Sequence, residues 1–546
     1  MKKNSKVIFD DSDFPVSFVR KSIFQGTGTD MDEAAVKPII AVVNSRTDMN
    51  PGHMHLDTLA TRVKEGVHAG GGLPFEFNVP APCDGITLGH DGMKFVLAQR
   101  ELIADTVETH IRSMRFDAMV MIASCDKIIP GMLLAAARLD IPTTFITGGP
   151  NAWKIRYKST MTDSVSHKDY DDYDDKFATA TCVTCGACEI MGTANTFQCM
   201  TEALGLSLPA SANVPAFHSD KLLYARKAGI RVCELVKEGL TAKKFLTPES
   251  VDNAVMICLA IGGSTNSTLH LPALAHELGF ELPLERFNEL NKIIPTLCGI
   301  SPNGPHGIVD LYIAGGIPGV MKRLKNELNT DELNVCGKTI GEIADEAVIT
   351  MDDVIPEKEN ARLPEGGIVA LYGNLSPNGA VIKQSAVAKD MRTFTGVARI
   401  FESETDCLTA IREKTIQEGE VLVIRYEGPK GSPGMPEMLA VTMGLDLGGY
   451  QKVALITDGR FSGATQGPCV GHISPEAVDG GPIGLLQAGD EITIDIPGRK
   501  LHAHVSEEEF TVRAKSFTAI EKPVPVGFMR RYKKHVSPAY KGAVLE

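Results

Sequence analysis

Short strand-like runs and amphipathic helical stretches alternate through the first 150 residues, and this alternation constrains the fold most strongly. Strands are predicted at 38–43, 116–123 and 143–146, and helices at 56–69 and 131–139. Aliphatic and β-branched residues dominate the strand-like runs, whereas the stretches between them repeat apolar residues with helical spacing. This order predicts an α/β fold with an N-terminal doubly wound parallel-sheet domain. Ligands of such a sheet bind at the loops that follow the carboxyl ends of its strands.

The pattern changes in the last third of the chain. After residue 368, short strand-like runs follow one another between glycines and prolines: IVALYG, GVARIF, EVLVIRY, KVALIT and DEITIDI. Many short strands with turn residues between them predict a C-terminal β-rich, barrel-like domain. The polar stretch 352–367 contains two prolines and is typical of a linker. We therefore expect an α/β domain over 1–355 and a β-rich domain over 366–546.

Charge and hydropathy exclude several classes of function. The 546 residues include 55 Lys and Arg against 68 Asp and Glu, a net charge of -13, which opposes binding to nucleic acid or to an anionic membrane. No apolar run approaches the roughly 18 residues that a spanning helix needs. The N-terminal stretch turns acidic before any apolar run develops, so it lacks the core of a secretory signal. A cytoplasmic protein is expected, with its twelve cysteines kept reduced.

Three cysteines share a spacing that is known from metal sites. Cys182, Cys185 and Cys188 form a C-x2-C-x2-C run, the spacing of ferredoxin-type iron-sulfur ligation. The fourth cysteine of a ferredoxin motif would have to follow closely before a proline, and Cys199 has neither that spacing nor that context. Structural zinc and plain burial of small thiols are alternatives that the spacing leaves open. A dense acidic run over 161–177 precedes these cysteines and is expected to form a solvated loop or lid.

Two further cysteines are each followed by an aspartate. Cys83 precedes Asp84, and Cys125 precedes Asp126 just after a predicted strand. Each pair combines a soft thiolate with a hard carboxylate on one loop, a combination that suits an iron-sulfur centre beside an oxygen-ligated cation. Three thiolates on a 4Fe-4S cluster would leave one iron open as a Lewis acid, which is a catalytic arrangement.

Two residues of the predicted β-rich domain are candidates for chemistry. Glu437 follows the Gly/Pro-rich segment RYEGPKGSPGMP, and Ser462 follows the predicted strand KVALIT within ITDGRFSGATQG. A serine on such a turn is exposed by its geometry and could act as a nucleophile or base. The same residues also suit an ordinary turn that is capped by serine.

Ten motifs in order along the chain carry a resemblance to a known family. They are KPIIAVVNS, PGHMHL, CDGITLGHDGM, RELIADTVE, CDKIIPGM, TCGACEIMGTANTFQCMTEALGLSLP, GGSTNSTLHL, AGGIPGV, RYEGPKGSPGMPEM and ITDGRFSGATQG. The likeness that they mark runs from about residue 37 to residue 501. On these motifs the chain resembles the iron-sulfur dehydratase family that groups dihydroxy-acid dehydratase with phosphogluconate and sugar-acid dehydratases.

The resemblance implies a set of site residues. Its cluster ligands are Cys83, Cys125 and Cys188, and its magnesium ligands are Asp84, Asp126, Glu437 and Lys127, a lysine that is carbamylated in family members. Ser462 matches the catalytic base that removes a proton as an alkoxide, and Lys127 is grouped with it as catalytic. Cys182 and Cys185 then lie outside the ligand set. Members with a 2Fe-2S cluster have a cysteine after the proline at the position of Gly52, so a 4Fe-4S cluster is expected here.

The function that the resemblance implies is a hydro-lyase that converts a 2,3-dihydroxy carboxylic acid into a 2-keto acid. Dihydroxy-acid dehydratase of branched-chain amino-acid biosynthesis is the main expectation, because RYEGPKG and PGHMHL are similar to that branch. A dehydratase of sugar acids, such as aldonates or phosphogluconate, is the alternative, since PAPCDG and SPNGP are similar to the phosphogluconate branch. A non-enzymatic iron-sulfur redox protein is a third hypothesis. A homodimer or a dimer of dimers is expected, with a small-molecule acid as the substrate.

Overall fold

A computed structural model describes residues 3–152, 182 and 184–546. The acidic run over 161–177 lies outside the described residues. Within the described part of the chain, no helix has both the length and the apolar character to cross a bilayer.

A four-stranded parallel sheet organises the N-terminal half. Its strands are β1 (Ile39–Asn44), β2 (Leu73–Asn78), β3 (Ala118–Ala123) and β4 (Thr143–Thr147). They are ordered β2-β1-β3-β4, and every neighbouring pair is parallel. The helices up to β4 are α1 (Lys6–Phe9), α2 (Val16–Gln25), α3 (Met31–Val36), α4 (Leu56–Gly70), α5 (Lys94–Met114) and α6 (Ile128–Leu139).

Helices cover both faces of this sheet, as the sequence predicts. Within the described residues between β4 and the C-terminal half, the helices are α7 (Thr193–Ala203), α8 (Ser219–Glu238), α9 (Pro248–Ala260), α10 (Ser267–Leu278), α11 (Leu284–Asn291), α12 (Ile308–Ala314), α13 (Gly316–Arg323) and α14 (Ile340–Glu346). Alternate residues of β1 and β3 pack against α4 and α8 on one face and against α5 and α6 on the other. Because both faces of these strands are buried, their sequences are continuous runs of apolar residues.

A closed eight-stranded barrel forms the C-terminal half. Its strands are β5 (Val369–Gly373), β6 (Ser376–Ile382), β7 (Thr393–Phe401), β8 (Glu420–Ile424), β9 (Ala454–Thr457), β10 (Cys469–Gly471), β11 (Glu491–Asp495) and β12 (Lys500–Ala503). They are ordered β10-β6-β5-β12-β11-β7-β8-β9, and β9 pairs with β10 to close the ring. The helices of this half are α15 (Glu404–Arg412), α16 (Leu439–Leu447), α17 (Pro482–Leu485), α18 (Glu507–Ser516) and α19 (Phe528–His535).

Side chains alternate between the inside and the outside of the barrel. In β8, Val421 and Val423 belong to the interior core, whereas Leu422 and Ile424 pack outward with α15 and α16. This period of two follows from the pleat of a β-strand. The predicted fold class is confirmed: a doubly wound parallel sheet precedes a β-rich barrel. The domain limits at 1–355 and 366–546 stay a prediction.

A glycine of the RYEGPKGSPGMPEM segment marks a close contact between the two halves. Gly434 has a φ of +93°, and a Cβ atom at this position would overlap the backbone carbonyl oxygen of Lys94 at the start of α5. Gly489 has nearly the same φ, +96°, but a Cβ there would meet no atom within 4 Å. The two glycines therefore share a backbone conformation and differ in the space around them.

We expect the two glycine-to-alanine variants to differ strongly in stability. Gly489→Ala should lower the free energy of unfolding by about 1–2 kcal/mol, the cost of a left-handed conformation for an L-residue. Gly434→Ala should lose about 1–3 kcal/mol more, because the new methyl group must push the segment away from α5. Thermal and denaturant unfolding of both variants measures the difference, and equal losses would contradict the close contact.

Candidate active site

The first group of site residues lies in the turn that connects β3 to α6. Cys125, Asp126 and Lys127 occupy the short turn between the end of β3 at Ala123 and the start of α6 at Ile128. This is the carboxyl edge of the parallel sheet, where ligands of such folds bind. The amino terminus of α6 is also the positive end of the helix dipole, which favours negative charge at this turn.

Two other loops bring thiols to the same edge of the sheet. Cys83 lies in the segment after β2, and Cys188 lies shortly before α7. The chain beside Cys188 is tied to the loops after β1 and β4: Gly186 N–H donates to the Pro51 carbonyl at 3.0 Å, and Ala187 N–H donates to the Gly149 carbonyl at 2.9 Å. These loops therefore converge although their residues are far apart in sequence.

Charge interactions link the three thiols. Burial raises the pKa of Cys125 well above its ordinary value, and the thiols of Cys83 and Cys188 raise it further. Desolvation by neighbouring protein atoms also raises the pKa of Cys188 well above the usual range, although solvent reaches this residue. Burial also raises the pKa of Cys83. Such thiols remain protonated by themselves, and a bound metal would displace their protons.

Gly52 leaves room beside the Cys125 thiol. A Cβ at this position would lie 2.7 Å from Cys125 Sγ, closer than carbon and sulfur atoms approach without a bond. A side chain at position 52 would therefore face the space in front of Cys125. Position 52, where the resemblance implies an extra cysteine in 2Fe-2S members, therefore lies beside the predicted ligand Cys125, and the cluster type stays a prediction.

A buried histidine orients the Cys125 backbone. His53 Nε2 accepts the Cys125 N–H at 3.0 Å, and His53 Nδ1–H donates to the Ser45 carbonyl at 2.7 Å. These two bonds assign a neutral ring with its proton on Nδ1. Burial lowers the pKa of His53 to about 3, although the Ser45 carbonyl opposes that shift. The ring therefore stays neutral over the physiological range and holds the Cys125 turn in place.

Three carboxylates surround the Lys127 ammonium. Lys127 Nζ lies 2.9 Å from Asp84 Oδ2, 3.1 Å from Asp126 Oδ2 and 4.0 Å from Glu437 Oε2. One oxygen from each of the three acids lies within 4.8 Å of the other two. Asp84 and Asp126 belong to the N-terminal half and Glu437 to the barrel half, so the cluster forms where the two halves meet. Burial raises the pKa of Asp126 to about 7, although the positive charge of Lys127 lowers this pKa.

Two polar side chains hold Glu437. Arg460 is fully buried; its Nη1 donates to Glu437 Oε2, and its Nη2 lies 3.6 Å from Asp84 Oδ2. Asn266, at the start of α10, donates from Nδ2 to Glu437 Oε2 at 3.1 Å. Glu437 is thus fixed by one contact from its own half and one from the other half.

The donor set fits a hard divalent cation. Three carboxylates meet two cationic groups, Lys127 and Arg460, in this cluster. Asp84 Oδ1 is buried and has no hydrogen-bond partner among the described residues. Buried carboxylate oxygens that lack donors are the ligands that Mg²⁺ prefers.

Ser462 lies on the turn between β9 and β10. Its side chain is half-buried, and its Oγ accepts the Ala464 N–H at 3.3 Å. The next residue, Gly463, packs directly on the N-terminal half, because a Cβ there would lie 2.9 Å from Gly192 Cα. The Ser462 turn therefore lies against the loop that joins Cys188 to α7.

Two family models cover the chain. Residues 37–343 match the N-terminal model of the dihydroxy-acid/6-phosphogluconate dehydratase family, and residues 353–543 match its C-terminal model. The chain belongs to this family. It is therefore a dehydratase, a hydro-lyase. The hypothesis of a non-enzymatic redox protein is wrong.

Curated relatives within the family match over nearly the full length. Dihydroxy-acid dehydratase of Methanococcoides burtonii is 49% identical over 96% of this chain and 97% of the relative. Dihydroxy-acid dehydratase 1 of Methanosarcina acetivorans is 46% identical over 97% and 98% of the two chains. Dihydroxy-acid dehydratase of Acetivibrio thermocellus is 45% identical over 96% of this chain and 97% of the relative. The resemblance that the motifs predict is confirmed.

The geometry adds residues that the sequence analysis did not identify. His53, Asn266 and Arg460 support predicted ligands, yet none was predicted as a site residue. Arg460 could have been noticed in the sequence, because it lies two residues before Ser462 in the motif ITDGRFSGATQG. An arginine that becomes buried there requires a charged partner. The ligand and catalytic roles of the predicted residues stay predictions.

Proposed function

We propose that this chain is a dihydroxy-acid dehydratase of branched-chain amino-acid biosynthesis, which converts a 2,3-dihydroxy carboxylic acid into a 2-keto acid. One observation carries the proposal: three carboxylates from both halves surround Lys127 on the turn that also bears Cys125. A hard cation site and a thiolate site on adjoining residues match a substrate with a carboxylate to bind and a hydroxyl to remove.

The proposed ligands divide by chemical softness. The thiolates of Cys83, Cys125 and Cys188 would hold a 4Fe-4S cluster, which supplies an iron with an open position as a Lewis acid for the departing C3 hydroxyl. Asp84, Asp126 and Glu437, with Lys127 after carbamylation, would hold Mg²⁺, which supplies positive charge for the substrate carboxylate and C2 oxygen. Carbamylation would turn the Lys127 ammonium into an oxygen ligand that carries negative charge.

The chain's own residues perform the proton transfer. Ser462 Oγ accepts the C2 proton as the base, and the Ala464 N–H stabilises the oxygen in its anionic form. Arg460 keeps Glu437 in its ligand position through the ion pair between the guanidinium and the carboxylate. In the net reaction the C2 proton and the C3 hydroxyl leave as water, and the resulting enol tautomerises to the 2-keto acid.

The choice of substrate rests on the relatives. The three reported relatives share the name dihydroxy-acid dehydratase at 45–49% identity, whereas the family models cover 6-phosphogluconate dehydratases too. This favours a short branched dihydroxy acid such as 2,3-dihydroxyisovalerate over a sugar acid. A homodimer or dimer of dimers and a cytoplasmic location belong to the same proposal.

An anaerobic keto-acid assay tests the proposal. The enzyme is incubated with 2,3-dihydroxyisovalerate, gluconate, 6-phosphogluconate and pentonates, and the 2-keto acid product is quantified. The highest kcat/KM is expected with 2,3-dihydroxyisovalerate. Glu437→Gln, which keeps the size of the side chain, should lower turnover by about 100–1,000-fold and keep the absorbance of the cluster.

Two outcomes of this assay would count against the proposal. A preference for a sugar acid would assign the chain to the other branch of the family. Unchanged turnover of the Glu437→Gln variant would remove the carboxylate cluster from the mechanism.

A further inference from the structure

A buried lysine joins the loops that carry two of the proposed active-site residues. Lys383 follows β6 in the barrel half, and its side chain is only 5% exposed. Its Nζ donates to the Gly463 carbonyl at 2.8 Å and to the Met191 carbonyl at 3.4 Å. Gly463 directly follows Ser462, and Met191 lies three residues after Cys188.

The two loops also touch each other at this point. A Cβ on Gly463 would lie 2.9 Å from Gly192 Cα and 3.0 Å from Ser264 Cβ, so the Ser462 turn has no space in which to shift toward the N-terminal half. Lys383 prevents movement in the opposite direction, because its ammonium binds a carbonyl on each side of the contact. Together these contacts set the distance between the Ser462 turn and the Cys188 loop.

The surroundings of Lys383 are unusual for an ammonium group. Among the described residues, no carboxylate forms an ion pair with it, and both of its hydrogen-bond acceptors are backbone carbonyls. Burial lowers the pKa of Lys383 to about 7, although the charge interaction with the Cys258 thiol raises this pKa. Burying an ammonium without a counter-ion costs free energy. A methionine or leucine would fill the same volume without that cost, so packing alone does not account for a lysine here.

We propose that Lys383 is a positioning residue that holds the Ser462 turn of the barrel against the Cys188 loop of the sheet half. The proposal rests on the proposed function, in which Ser462 removes the substrate proton beside a cluster bound by Cys188. Lys383 itself does not touch the substrate. Its effect on the reaction passes through the two backbone carbonyls that it binds.

Lys383→Met tests the proposal, with Lys221→Met as the matched control. Lys221 is also a fully buried lysine whose pKa burial lowers to about 7, and its hydrogen bonds go to the Ser211 carbonyl at 2.7 Å and to Thr147 Oγ1 at 3.2 Å rather than to the Ser462 turn or the 188–192 loop. Both variants should lose stability. Lys383→Met should lower kcat by about 100-fold with KM within about threefold, because a catalytic group displaced by 1 Å can lose this much rate. Lys221→Met should keep kcat within about threefold per folded, cluster-loaded chain.

Hydrogen exchange supplies a second measurement that does not depend on activity. Peptides that cover 189–196 and 459–468 should exchange faster together in Lys383→Met and remain as in the wild type in Lys221→Met. Lys383→Gln is measured in the same way if the methionine variant does not fold.

Normal kcat in the Lys383 variant would overturn this inference, as would unchanged exchange in both peptides. The proposed function has a separate test, since an active Ser462→Ala variant would refute the base itself. An inactive Ser462→Ala variant beside a fully active Lys383→Met variant would refute the positioning role alone.

Discussion

Replacing Ser462 with alanine is expected to lower kcat by about three orders of magnitude, within the range that general-base catalysis contributes. A serine hydroxyl is a weak base at neutral pH, and only nearby positive charge and hydrogen-bond donors can hold its oxygen as an anion. Ser462 Oγ already accepts the Ala464 N–H, and its turn is fixed against the N-terminal half at Gly463. Removal of the oxygen therefore removes the base and leaves the surrounding contacts in place.

The measurement separates catalysis from binding. In Ser462→Ala, kcat should fall while KM and the absorbance of the cluster change little, which is the pattern of a group used in the transition state. Exchange of the substrate C2 proton with deuterated solvent should disappear in parallel. Ser376→Ala is the control, because Ser376 is a buried barrel serine whose Oγ–H donates to the Leu371 carbonyl at 3.1 Å, and it should retain full activity. A Ser462→Ala variant within about tenfold of the wild-type rate would show that another residue is the base.

The long buried elements could be predicted from the sequence because their signals are local. The helix predicted at 56–69 is α4 (Leu56–Gly70), and the strand predicted at 143–146 is β4 (Thr143–Thr147). A continuous apolar run or an amphipathic repeat is sufficient for such elements.

Elements that depend on distant partners could not be predicted. β2 begins Leu-Pro and alternates apolar with polar residues, which are features of an edge strand. Among the strands that the structure describes, it pairs with β1 alone. β6 begins with Ser-Pro-Asn-Gly, a sequence typical of a turn, yet it pairs with β5 and β10 inside the closed barrel. β6 forms a strand because its pairing with neighbouring strands closes the barrel. The strand propensity of its own residues does not predict this pairing.

The same distinction applies to the candidate site. The motifs predicted Asp84, Asp126 and Glu437 as one set, and the structure brings their oxygens within 4.8 Å of one another. The sequence could not show that Arg460 and Asn266 hold Glu437, since Asn266 and Glu437 lie 171 positions apart. Contacts of this kind arise only when the sheet half and the barrel half come together.

The second large effect is expected at Cys188. Replacing Cys188 with serine should abolish both the iron-sulfur cluster and the activity, because a hydroxyl is a poor substitute for a soft thiolate ligand. The Cys188 loop is otherwise well fixed: Asn195, on α7, donates to the carbonyls of Cys188 and Ile190. The variant should therefore retain the loop conformation and lose the ligand atom alone.

Cys182→Ser is a stringent control for this prediction, because the Cys182 thiol lies near enough to contribute to the raised pKa of Cys188. A ferredoxin-like arrangement would require Cys182, whereas the proposed set of Cys83, Cys125 and Cys188 does not. Anaerobically purified wild type and Cys182→Ser should each hold about four irons per chain with full activity, and Cys188→Ser should hold none. Iron analysis and visible absorbance measure the result. Loss of the cluster in Cys182→Ser together with its retention in Cys83→Ser would replace the proposed ligand set with the C-x2-C-x2-C run.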